Sequence, residues 1–180
     1  RMENLRSRIS PHFTFNVLGR EINQFNGSEE VKHNLMELVK YLRRSLALTE
    51  KLSVSLQDEL DFVRTYIELE RGRVGEEFIA TVTVEDGLDA TRIMIPSMIV
   101  QIPVENAIKH NIATLKNPLI IRIGFTDEGI MVSNNLQLRS SVDRGGVGLG
   151  NLEKQYALYD KAIDIVESTT EFVVRVPFLE

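Results

Sequence analysis

An α+β fold is predicted, with helices that begin the chain and an α/β sandwich that completes it. Three features predict it. Through roughly the first 75 residues, apolar positions recur at three- and four-residue spacings. Beyond that point the apolar residues alternate or form short β-branched runs. Polar turn clusters separate the segments, and neither an internal repeat nor a low-complexity tract is present. The predicted division is therefore 1–75, helical, and 76–180, the sandwich.

The elements follow in order. "NLRSRISPHFTFNVLGREINQF" carries Leu5, Ile9, Phe13, Val17, Leu18, Ile22 and Phe25 at helical spacing. Pro11 should restart or kink this helix, with Ser10 as its N-cap. "NGS" at 26–28 is a turn, and "SEEVKHNLMELVKYLRRSLAL" resumes the helical period. Two helices on a short turn form an antiparallel hairpin, which buries little unless a second copy completes a four-helix bundle. "SLQDELDFVRTYIELERGR" is a third helix, with Ser55 and Asp58 as an approximate capping box. Gly72 and Gly75 should end it and provide a hinge. "FIATVTVE" reads as a strand, "IPSMIVQIPVENAIKHNI" as a helix kinked or delayed by Pro103, and "LIIRIGFTDEGIMVSNN" as two strands about a turn. "LQLRSSVDRGGVGLG" reads as a loop, "GNLEKQYALYD" as a short helix and "AIDIVESTTEFVVRVPF" as a closing hairpin.

A chain of 180 residues suits one domain, or a small domain with a helical extension. Its 43% apolar content is enough for a core. A net charge of -5 does not favour nucleic acid as a bulk partner. The absence of Cys excludes disulfides and thiolate metal sites and suits a reducing compartment. Three scattered His supply no metal-ligand cluster. No apolar run approaches the ~20 residues that span a bilayer, and no signal peptide is recognisable. The opening is mid-helix in character, as expected of an excised fragment.

Three stretches carry possible chemistry. In "VENAIKHN", Glu105, Asn106, Lys109 and His110 share one helix face, and Val104, Ala107 and Ile108 the opposite one. An acid, an amide oxygen and two cationic donors suit a nucleotide with Mg²⁺, which prefers hard oxygen ligands. The same face also reads as a solvated one with a Glu105–Lys109 pair. "GGVGLGN" places four glycines just before a helix, either to let backbone N–H groups approach phosphate or simply to turn a flexible loop. In "SPHFTFN", His12 and Asn16 share a face among Phe13, Phe15 and Val17. That His is either a packed side chain or a nucleophilic imidazole with a free lone pair near pH 7.

Taken in order, "SPHFTFN", "SLQDELDFVRTYIELERGR", "IPSMIVQIPVENAIKHN" and "GVGLGNLEKQY" resemble the LytS-type (YehU-like) sensor histidine kinases over nearly the whole chain. The resemblance implies that His12 is the phosphoacceptor on a dimerisation and phosphotransfer hairpin; in the mechanism expected on that basis, Asn16 holds one ring nitrogen and leaves the other free. It implies a Bergerat-type ATP-binding domain after about residue 75. Glu105 would act near the γ-phosphate, Asn106 would bind Mg²⁺, and Lys109 and His110 would contact phosphates. Asn134 would meet the adenine amino group. Gly146, Gly148, Leu149 and Asn151 would belong to the second glycine box, at the ATP lid. The chain departs from the family pattern in "NNL" at 134–136, where Asp-Asn-Gly is usual, and at Asn111 and Thr14. The implied partners are a second copy of the chain and a response regulator with a receiver Asp. Nucleic acid is not expected, and membrane association is expected only through N-terminal segments outside this chain, with this part on the cytoplasmic side. Two other readings stand beside the kinase: a non-catalytic ATP-binding switch, and a pseudokinase serving as a dimerisation module.

Overall fold

The computed structural model describes residues 11–49, 51–84, 89–126, 128–139 and 147–178. Helix α1 (Pro11–Gln24) and helix α2 (Glu29–Thr49) form the expected hairpin, with Ile22 packed against Leu35, Met36 and Val39. Pro11 is the first described residue of α1. The proposed cap at Ser10 lies outside the described residues. Strand β1 (Ser53–Ser55) leads directly into helix α3 (Leu56–Val74). Ser55 caps that helix by accepting the N–H of Asp58 at 3.1 Å.

Helix α3 runs through Gly72 and ends only at Gly75, whose φ of 111° lies in the region that favours glycine. The two-glycine terminus expected from sequence is thus one glycine. Leu56, Leu60, Phe62, Val63 and Ile67 of α3 share a core with Ile99, Val104 and Ile108. The expected division at residue 75 therefore falls at the end of a helix already packed into the core of the sheet.

Five strands build the main sheet: β2 (Ala80–Val84), β4 (Leu119–Thr126), β5 (Gly129–Asn135), β6 (Asp164–Glu167) and β7 (Glu171–Pro177), in the order β2-β4-β5-β7-β6. The β2–β4 pair is parallel and the others antiparallel. Strand β3 (Met94–Pro96) pairs with β1 in a separate antiparallel ribbon. Sequence reading missed this ribbon, because three-residue strands carry too little periodicity to register and Pro96 reads as a helix start. The predicted mixture of helices and sheet is observed.

Alternation positions the site. Ile130, Val132 and Asn134 point to one face of β5, beside Leu119, Ile121 and Ile123 of β4 and Val174 and Val176 of β7, and all are buried. Helix α4 (Gln101–His110) covers that face. It starts late, so Pro103 falls in its first turn and no kink results. Helix α5 (Val147–Ala157) includes Val147, Gly148 and Leu149, three residues ahead of the helix the sequence suggests. Among the described residues, no helix is long and apolar enough to cross a membrane.

Candidate functional site

The entry to α4 is anchored by another helix. Its N-cap residue, Val100, supplies no side-chain acceptor. Glu59 of α3, fully buried, accepts the N–H groups of Met98, Val100 (2.9 Å) and Gln101 (3.2 Å) instead. A carboxylate at a helix N-terminus also meets the favourable end of the dipole. Burial pushes the Glu59 carboxyl up to about 7, against the pull of its three N–H donors. Tyr156 of α5 is buried nearby, and burial together with Glu59 pushes its phenol up to about 12.

The other end of α4 is stitched to the segment after β5. Asn111 is buried; its Nδ2 donates to Ala107 O at 2.9 Å, and its Oδ1 accepts from Gln137 N at 2.8 Å. Its own carbonyl accepts from Arg139 Nε at 2.8 Å. The backbone at Asn111 is extended, so no glycine is required there. The departure from the resembled pattern at this position has become a structural tie.

Between α4, α5 and the sheet lies a cavity of about 640 Å³, a size that suits a small-molecule or cofactor site. Asn106, His110, Asn111 and Arg139 line its polar part. Leu136, Leu138, Leu149, Ile165 and Phe172 line its apolar part, with Gly150, Glu153 and Glu167 at α5 and β6. Asn134, Phe172 and Glu167 form one cross-strand row, because β5 pairs Asn134 with Phe172 and β6 pairs Glu167 with Phe172. Asn134 Nδ2 donates to Asn135 O at 2.8 Å, which turns its Oδ1 into the acceptor for anything bound there.

The structure brings Asn106, His110, Asn134 and Leu149 together around this cavity. Glu105 and Lys109 share α4 but do not line it; Lys109 is exposed, and Glu105 is half-buried against α2. Asn151 is exposed on α5, Gly148 lies at its start, and Gly146 lies outside the described residues. His12 and Asn16 occur on α1, with side chains outside the described set. Sequence reading missed Arg139, Phe172, Ile165, Gly150, Glu153 and Glu167 as cavity residues. Gly150 and Glu153 lie within the quoted glycine-rich stretch without being singled out there, Arg139, Ile165, Glu167 and Phe172 sit in no motif, and strand pairing alone gathers the last three.

The polar part suits a phosphate with a divalent cation. Asn106 Nδ2 is buried and without a hydrogen-bond partner among the described residues, an expensive state that an anionic oxygen would relieve. Its Oδ1 is a hard oxygen of the kind Mg²⁺ takes, and as a single protein ligand it would leave most of the coordination to phosphates and water. Burial, then Lys109, holds the His110 imidazole below its ordinary pKa, so at neutral pH it contributes a hydrogen bond rather than charge. Arg139 supplies the cation of the lining: its backbone N–H donates to His110 O at 3.0 Å, and Nε is tied to Asn111.

The chain is similar to known histidine kinases. The histidine kinase family model matches residues 1–78. The sensor histidine kinase/phosphatase LytS of Staphylococcus aureus strain MRSA252 is 28% identical over 170 residues, which cover 93% of this chain, and LytS of strain N315 matches to the same extent. The chain spans about 28% of the length of those relatives. Among solved structures, the Acinetobacter baumannii histidine kinase AdeS covers 95% of this chain and 96% of its own at 12% identity. Its TM-score is 0.48, a superposition too loose to carry an argument. The first 78 residues thus match the histidine kinase family model, and the chain resembles the LytS-type sensor histidine kinases over nearly all of its length.

Proposed function

We propose that this chain is the kinase region of a sensor histidine kinase, binding ATP with Mg²⁺ in the cavity and transferring the γ-phosphoryl group to His12. The observation that carries the reading is the unpartnered buried amide of Asn106, in the same cavity as the Asn134–Phe172–Glu167 row. One end offers a donor and a hard oxygen for phosphate and metal. The other offers apolar surface and an acceptor for a purine amino group. The sheet with α4 and α5 on its buried face, and the cavity between them, supports the Bergerat-type reading of this domain.

The roles follow from chemistry. Phe172, Ile165 and Leu136 take the base, and Asn134 Oδ1 accepts its amino hydrogen. Asn106 and Arg139 hold the phosphates, with Gly148 and Leu149 of α5 close by. Bound Mg²⁺ would neutralise charge on the phosphate oxygens. A ring nitrogen of His12 forms the new bond to the γ-phosphorus as the bond to the bridging oxygen breaks, and ADP leaves with those electrons. Glu105 receives the imidazole proton, and Asn16, one turn from His12, steadies the ring. The phosphoryl group then passes to an Asp of a response regulator. The exposed Leu18, Phe25, Val31, Leu38 and Leu42 on the hairpin support a homodimer with a four-helix bundle. The parent protein would be membrane-anchored through N-terminal segments, with this part on the cytoplasmic side.

The test is incubation with γ-labelled ATP and Mg²⁺, followed by acid treatment of the labelled protein, for wild type and His12→Gln. Acid-labile label that disappears in the variant is expected. Label that persists in His12→Gln removes the assignment of His12. ATP binding without label in either protein would replace the kinase by a nucleotide-binding switch, and absence of binding would leave a dimerisation module.

A further inference from the structure

Glu105, the proposed proton acceptor, is already engaged. Tyr41 of α2 donates its hydroxyl to Glu105 Oε1 at 2.7 Å, across 64 positions of sequence. Gln101 Nε2, one turn earlier on α4, donates to the same oxygen at 2.7 Å. The Tyr41 ring is stacked on Phe62 of α3, with centroids 4.7 Å apart and planes at 21°, and is tilted against Tyr66 at 5.7 Å. These rings seat Tyr41 so that its hydroxyl meets α4. Burial, then the Glu105 carboxylate, pushes the phenol far above its ordinary pKa, so it remains a donor at every working pH.

This contact lies away from the phosphoacceptor. Helix α1 packs on α2, α2 on α3, and α3 on α4; among the described residues α1 has no comparable packing on α4. Ile22 of α1 is level with Leu35, Met36 and Val39 of α2. At ~1.5 Å per residue, His12 lies ~15 Å further along the hairpin. That is level with the last turns of α2, past Tyr41. Glu105 is therefore docked on the helix that does not carry His12, and below its level.

We propose that Tyr41 is an autoinhibitory latch, whose hydroxyl parks the Glu105 carboxylate on α2 so that phosphoryl transfer to His12 requires the Tyr41–Glu105 hydrogen bond to break. The latch rests on the kinase reading above. It positions Glu105 without touching the nucleotide, so it acts on the transfer rate and leaves ATP affinity alone. A signal that rotates or slides α2 relative to α3 would open it, because the Tyr41 ring is held by α3 and its hydroxyl by α4.

Tyr41→Phe tests it, since the ring and its stacking survive and only the hydroxyl is lost. The chain and the variant are compared for initial rate of acid-labile labelling, ATP affinity by calorimetry and amide hydrogen exchange along α4. The expected result is labelling faster by roughly tenfold or more, in keeping with the loss of one hydrogen bond to a charged acceptor, with unchanged ATP affinity and faster exchange in α4. Label in Tyr41→Phe alone, with silent wild type, supports the latch equally. Labelling that is unchanged or slower in a folded variant overturns the latch and leaves the kinase standing. Labelling of neither protein, with ATP bound by both, overturns the kinase reading and the regulatory role with it; faster exchange would then mark the contact as structural.

Discussion

Glu59 accepts the N–H of Val100 at 2.9 Å, so the helix bearing Asn106 is capped by a carboxylate from a different helix. The two residues are 41 positions apart. The relationship ties the entry of the cavity-lining helix α4 to α3, and it has a pH signature. The Glu59 carboxyl is raised from 4.5 to about 7. The folded state thus binds more protons than the unfolded one between these values. Its stabilising contribution is fully present below about 4.5 and is lost as pH rises through about 7. Glu59→Gln does not titrate. The stability of wild type relative to this variant should fall by on the order of a few kcal/mol from pH 4.5 to 8, read from urea midpoints at constant m. A difference that stays flat across the window would show that Glu59 is not raised.

Asn106→Ala separates binding from stability. The lost Nδ2 has no partner among the described residues, so the melting temperature should not drop. ATP affinity in the presence of Mg²⁺ should weaken by about tenfold or more, the order of one hydrogen bond to a charged group plus one metal ligand. Calorimetry showing unchanged affinity would remove Asn106 from the site.

Arg139 and Lys109 give a paired comparison. Arg139 lines the cavity and Lys109 does not. Arg139→Ala should weaken ATP binding by roughly tenfold, whereas Lys109→Ala should change it by less than about twofold. Arg139→Ala should also lower stability by about 1 kcal/mol, because its Nε bond to Asn111 is lost. Equal effects of the two variants on affinity would refute the placement of the phosphates.

Asn134→Asp restores the residue usual in the resembled pattern, yet it should destabilise this chain. Asn134 is buried and its Nδ2 donates to Asn135 O. A carboxylate there has no hydrogen to donate and faces the carbonyl oxygen. A loss of about 1–3 kcal/mol is expected at neutral pH, recovered in part on acidification as the Asp protonates. Denaturant titrations at pH 5 and pH 7.5 would check both statements.

Much of the architecture was legible because it rests on local pattern. The hairpin at 25–28, the Ser55 cap, the alternating strands at 80–84 and 119–135, and the closing hairpin all write their period or their turn chemistry into adjacent residues. What failed was also physical. Three-residue strands leave no measurable period, so β1 and β3 were invisible. Gly72 suggested an end to α3 that the packing of its apolar face overrides.

By itself, the sequence determined the α+β class, the helix face that gathers Glu105, Asn106, Lys109 and His110, and the resemblance that names His12. Those properties depend on spacings within single elements. Only the tertiary structure decided which members of that face enter the cavity, and it divided them: Asn106 and His110 inward, Glu105 to Tyr41, Lys109 to solvent. It also placed Arg139, Phe172 and Glu167 beside them and put Glu59 under the start of α4. The reason is that helix docking and strand register join residues far apart in the chain, whereas periodicity records only which face each residue shares with its near neighbours.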